Sequence, residues 1–119
     1  MSSMKKAVII LGVSLILLAG AEAVADDPVM IRIYNDDAES VDVSVYDLNA
    51  QPPDVAILNQ RVNGFAWIPI SVTAGTVGMG HVKWTVRTVD PSFHRCGSQE
   101  VRGVPNDSFV YVFADSSCR

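Results

Sequence analysis

The sequence predicts an all-β fold, a small antiparallel β-sandwich of six to seven strands, on three observations. Apolar residues alternate with a period of two along most of the chain, clusters of Asn, Asp, Gly and Pro punctuate it at short intervals, and no stretch after residue 25 carries a helical period. An immunoglobulin-like Greek key is the preferred winding, with a small closed β-barrel as the alternative. The cysteine spacing does not follow the immunoglobulin pattern of a disulfide spanning two sheets, so the comparison is architectural and licenses no function.

The first 25 residues read as an address. Lys5 and Lys6 precede the apolar stretch Ala7 to Leu18, and small residues follow up to Ala23-Val24-Ala25, which suits a cleaved secretory signal peptide. A membrane span needs roughly 20 apolar residues. The uninterrupted run here has twelve, Gly12 and Ser14 among them. Cleavage after Ala25 is preferred, with Ala23 as runner-up. Ala21 stands where a lipoprotein would need its acylated cysteine, so no stable membrane anchor is expected after cleavage. The expected product is residues 26–119, one domain, exported and free in the periplasm or the extracellular space.

From residue 26 onward, Val29 to Tyr34 places Val29, Ile31 and Ile33 on one side and Arg32 on the other. Asn35-Asp36-Asp37-Ala38-Glu39 reads as a turn, and Val41 to Asp47 as a partner strand with Val41, Val43 and Val45 inward and Asp42, Ser44 and Tyr46 outward. These two strands are expected to form a hairpin. The prolines of Asn49 to Asp54 lack amide donors and make that segment a connection. Val55 to Val62 and Phe65 to Val72 flank Asn63-Gly64, the strongest hairpin signal in the chain. Pro69 assigns the second of these strands to an edge or a bulge. After a loop from Thr73 to Gly80, His81 to Val89 should turn Val82, Trp84 and Val86 inward. Asp90-Pro91 breaks that strand, Phe93 to Ser108 is expected to be mostly irregular with a short strand near Cys96 and another around Val101, and Phe109 to Ala114 is the last strong strand.

Cys96 and Cys118 are the only cysteines. In an oxidising compartment they are expected to pair as a disulfide, worth about 3 kcal/mol on chain-entropy grounds. No C-x-x-C spacing favours redox turnover, and no second pair completes a zinc site.

Subtracting Lys5, Lys6 and Glu22 with the leader leaves 12 acidic and seven basic residues, a formal charge of −5. Eight of the acids lie between Asp26 and Asp54, where Arg32 is the one base. With no dense cluster of Lys and Arg, nucleic-acid binding is not expected.

The exported part has no G-x-S-x-G elbow, phosphate loop or H-E-x-x-H pair, so the chain is read as a non-enzyme. His81 and His94 read as a strand-start residue and a loop residue, and a hydrolase is the weakest alternative. No cofactor is expected, with calcium as a possible exception: Asn35, Asp36, Asp37 and Glu39 gather oxygen ligands in one turn, although their spacing does not match an EF-hand loop. The preferred function is a binding or interaction protein with a protein or carbohydrate partner. Phe65 and Trp67 share one side of their strand and Ala66, Ile68 and Ile70 the other, so an aliphatic core face leaves the aromatic pair exposed as a stacking surface. Tyr46 is the other aromatic expected outward on a regular strand. A small inhibitor or immunity factor acting on a basic protein is a special case of this reading, motivated by acidity and export. A subunit assembling through an edge strand is another.

Overall fold

A computed structural model describes residues 27–90, 92 and 94–118; the expected signal peptide lies outside them. Eight strands form among the described residues: β1 (Val29–Asn35), β2 (Val41–Asp47), β3 (Asp54–Val62), β4 (Trp67–Val72), β5 (Gly80–Thr88), β6 (Arg95–Val104), β7 (Ser108–Val112) and β8 (Ser116–Ser117). They make two sheets, a three-stranded one ordered β4-β1-β7 and a five-stranded one ordered β3-β2-β5-β6-β8. The architecture is therefore an all-β sandwich rather than one closed ring. The pairing is not wholly antiparallel: β1 runs parallel to β7, Ile33 opposite Val110 and Tyr34 opposite Tyr111.

The period-two pattern places the core as expected. Val29, Ile31 and Ile33 from one sheet meet Val41, Val43, Val45, Val82, Trp84 and Val86 from the other, all buried. Trp84 is fully enclosed, its ring edge-on to Phe113 at 5.3 Å. Pro69 lies on β4, an edge strand, where its missing N–H costs no ladder bond.

Two expected hairpins are instead crossings between the sheets. β1 and β2 belong to different sheets, as do β3 and β4. The turns that join them meet at one end of the sandwich and are stitched together by Asn35. Its fully buried side chain donates from Nδ2 to the carbonyls of Glu39, Val62 and Asn63 at 2.8, 3.2 and 3.2 Å. Phe65 N–H donates back to the carbonyls of Asn35 and Asp37. Gly64 is needed for close approach, because a Cβ there would stand 2.1 Å from the Ala38 carbonyl oxygen. The residue with positive φ is its neighbour Phe65, at 57°.

Two further expectations change. Residues 95–104, read as mostly irregular with short strands near Cys96 and Val101, form one continuous ten-residue strand β6 along β5, with Gly103 at φ 64° beside the register shift at Gly80/His81. Ser44, expected to face water, is buried because β3 bulges over it: Asn59, at φ 50°, donates its N–H to Ser44 Oγ at 2.9 Å.

After β7 the chain crosses to the five-stranded sheet over Gly97, where a Cβ would stand 2.1 Å from the Phe113 carbonyl oxygen. Arg95 anchors this crossing. Its Nη1 donates to the Ala114 carbonyl and its Nη2 pairs with the Asp37 carboxylate at 3.2 Å.

Candidate functional site

The outer face of the three-stranded sheet carries the exposed aromatic surface. In β4-β1-β7 the cross-strand neighbours of Tyr34 are Trp67 and Tyr111, and those of Arg32, two residues earlier on the same face, are Pro69 and Phe109. Alternation with Ile31, Ile33, Ile70, Val110 and Val112, which face inward, turns these side chains to solvent. Trp67, Phe109 and Tyr111 keep 48, 43 and 52% of their surface exposed.

The rings hold one another. Tyr34 stands edge-on to Tyr111 at 5.3 Å and to Phe109 at 6.3 Å, Trp67 stands edge-on to Phe109 at 6.0 Å, and Phe109 stacks with Tyr111 at 6.1 Å. Each such pair contributes about 0.5–1.5 kcal/mol beyond area burial. Tyr34, Trp67, Phe109 and Tyr111 line a shallow depression of about 280 Å³. Arg32 lies between two of them, its Cζ 5.5 Å from the Trp67 ring centroid and 5.3 Å from that of Phe109. Its Nη1 donates to the Asp107 carbonyl at 2.7 Å. That carbonyl is fixed in turn, because Asp107 N–H donates to Met30 O and Met30 N–H to Asn106 Oδ1.

Of the residues expected from sequence, Trp67 belongs to this surface, while Phe65 and Tyr46 do not. Phe65 is 59% exposed but sits in the inter-sheet turn, without ring contact to the cluster. Tyr46 lies across the sandwich on β2, in a groove of about 840 Å³ on the outer face of the five-stranded sheet. Polar groups in and around that groove satisfy one another, Asp42 with Arg61 at 3.0 Å and Ser44 with Asn59. The aromatic face instead leaves contiguous apolar surface in water, which is the less common arrangement and the stronger mark of recognition. Sequence reading missed Arg32, Tyr34, Phe109 and Tyr111. The alternation around each was visible, but the adjacency of their strands was not.

Asn35 Nδ2 faces backbone carbonyls, Asp37 pairs with Arg95, and among the described residues no group of three or more His, Cys, Asp or Glu is placed to hold a metal ion. His81 Nε2 lies 2.6 Å from Glu100, and this hydrogen bond holds the Glu100 carboxyl below the usual carboxylate range. His94 offers its carbonyl to Cys118 N–H.

Cys96 and Cys118 stand beside each other as thiols, without a covalent bond. Cys96 pairs with Ser116 across β6 and β8, and Cys118, two residues on, falls on the same face. The hydrogen bond between the two thiols pushes the Cys96 pKa up.

Comparison of the chain with family models, with curated proteins and with solved structures gives no match in any of the three.

Proposed function

We propose that this chain is an exported, non-enzymatic binding protein, free in the periplasm or extracellular space after cleavage at Ala25, that recognises its ligand through the aromatic face of the three-stranded sheet. The observation that carries the proposal is the solvent-facing cluster of Tyr34, Trp67, Phe109 and Tyr111 around Arg32. Rings held edge-to-face lose little conformational freedom on binding, which is why such surfaces serve as anchors. An immunoglobulin-like winding is the topological part of this reading, supported by the connections that cross between sheets at β1–β2 and β3–β4. Retention on arrayed glycans and on immobilised cell-envelope proteins tests the site. Trp67→Ala combined with Tyr111→Ala is expected to lower retention at least tenfold, and Tyr46→Ala to leave it unchanged. Loss confined to Tyr46→Ala would move the site to the other sheet.

The proposal includes a Cys96–Cys118 disulfide, formed when the two thiols give up two protons and two electrons to an oxidised dithiol donor by exchange. It would tie the two-residue strand β8 to β6, which their ladder alone holds weakly. Alkylation of unfolded, exported protein is expected to find no free thiol before reduction and two after it. Two reactive thiols without reductant would refute the bond.

A further inference from the structure

We propose that the aromatic face takes a ring-bearing carboxylate, an acidic sugar residue or an aromatic acid, with the carboxylate on Arg32 and the ring against Tyr34, Trp67 and Tyr111. The inference rests on the reading of this face as the recognition surface and adds the chemistry of the ligand. Arg32 is treated differently from three of the other arginines of this acidic chain. Arg61, Arg95 and Arg102 each meet a carboxylate, of Asp42, Asp37 and Glu100 respectively. Arg32 meets two ring faces and one carbonyl. The Trp67 and Phe109 rings stand at 90° to each other, so the planar guanidinium lies flat against one of them at most, and no carboxylate among the described residues neutralises it. Nη1 is taken by Asp107 O, and Nε and Nη2 meet no carbonyl or carboxylate among the described residues. Those two nitrogens form one edge of the fork, at the spacing that meets both oxygens of a carboxylate.

Size and charge narrow the class. At about 280 Å³ the depression lies near the lower end of the ~300–1,000 Å³ range of small-molecule sites, room for one ring rather than an extended chain. Four aromatic walls would also suit a quaternary ammonium, but a cation already lies over the Trp67 and Phe109 faces and repels a second. The formal charge of −5 on the exported part opposes an anion at long range. Screening over about 8 Å at physiological salt limits that opposition, whereas the fork acts at contact.

The test is calorimetric titration of the exported protein with four probes. Glucuronate and indole-3-acetate carry the carboxylate; glucose and indole-3-ethanol are their uncharged counterparts. At least one acid is expected to bind tenfold or more tightly than its counterpart, and which acid does so identifies the source of the ring. Arg32→Gln is expected to bring each pair within twofold, and Arg32→Lys to recover less than half of the preference in free energy. The wild-type probe series decides the matter even where a variant misfolds. Uncharged probes binding as tightly as the acids, with affinity lost in Trp67→Ala, would overturn the carboxylate and leave the aromatic face as the recognition surface. A preference that persists in Arg32→Gln, or no binding of any probe, would also overturn it; the retention experiment decides the face independently.

Discussion

Trp84→Ala is expected to remove about 3–5 kcal/mol of stability, the cost of emptying a large aromatic site in a core, whereas Trp67→Ala is expected to cost no more than about 1.5 kcal/mol. Urea unfolding followed by circular dichroism measures both. Trp84 is fully buried at the centre of the larger sheet, with Val43, Val45 and Phe113 around it in the core. A domain of this size has a net stability of about 5–15 kcal/mol, so the alanine variant should be marginal or unfolded. Trp84 also carries a cost of its own: its Nε1 is buried with no hydrogen-bond partner. Trp84→Phe gives up part of the ring volume but removes that unsatisfied donor, worth about 1–3 kcal/mol. The phenylalanine variant is therefore expected to lie closer to wild type than to Trp84→Ala, within about 2 kcal/mol. Equal destabilisation by Trp84→Phe and Trp84→Ala would show that the indole N–H is satisfied. Trp67 loses one edge-to-face contact and its place over Arg32, and half its surface is already in water. A loss of several kcal/mol at Trp67 would place that ring in the core and end its role as a free surface.

The contrast between the two tryptophans was legible in part, because alternation sets Trp67 opposite Ile68 and Ile70 but leaves open which of the two sides is the core. Val82-x-Trp84-x-Val86 puts one ring inward; Trp67 alternates with Ile68 and Ile70 and points out. Pro69 likewise narrowed its strand to an edge or a bulge without tertiary information. Adjacency was not legible. A turn signature such as Asn63-Gly64 states that the chain reverses, not whether the next strand joins the same sheet or the facing one. Here the glycine answers a long-range demand, the Ala38 carbonyl, and that demand leaves no local trace. The same gap hid most of the aromatic surface, since Trp67, Tyr34 and Tyr111 become neighbours only once β1 lies between β4 and β7. Strand β6 was read only as two short pieces, near Cys96 and around Val101, for a different reason. Arg95-Cys96-Gly97-Ser98-Gln99-Glu100 is polar on both sides, because glycine replaces an inward apolar residue where the chain passes overhead, and alternation has nothing to mark.

Gly97→Ala and Gly64→Ala are both expected to cost about 3 kcal/mol or more, because at each a methyl group would meet fixed backbone rather than a movable side chain. The added Cβ would lie 2.1 Å from a carbonyl oxygen in either case, that of Phe113 or that of Ala38. Gly78→Ala is the control. Its φ of 77° imposes strain but nothing lies within 4 Å, so about 1 kcal/mol is expected there. The two severe variants should differ in what they disturb. Gly64 sits where the two inter-sheet turns meet, bound through Asn35, so its loss loosens those turns, whose Asp37 meets Arg95, without touching the β7-to-β8 segment that carries Cys118. Gly97 lies next to Cys96, under the segment whose Asp115 N–H donates to Cys96 O and whose Ala114 carbonyl accepts from Arg95. Pushing that segment outward would carry Ser116 and Cys118 with it. Gly97→Ala should therefore leave free thiols in the exported protein, while Gly64→Ala, if it accumulates, should leave none. Oxidation that proceeds equally in both variants would mean that the cysteines find each other without the crossing over Gly97, and that the close approach serves packing alone.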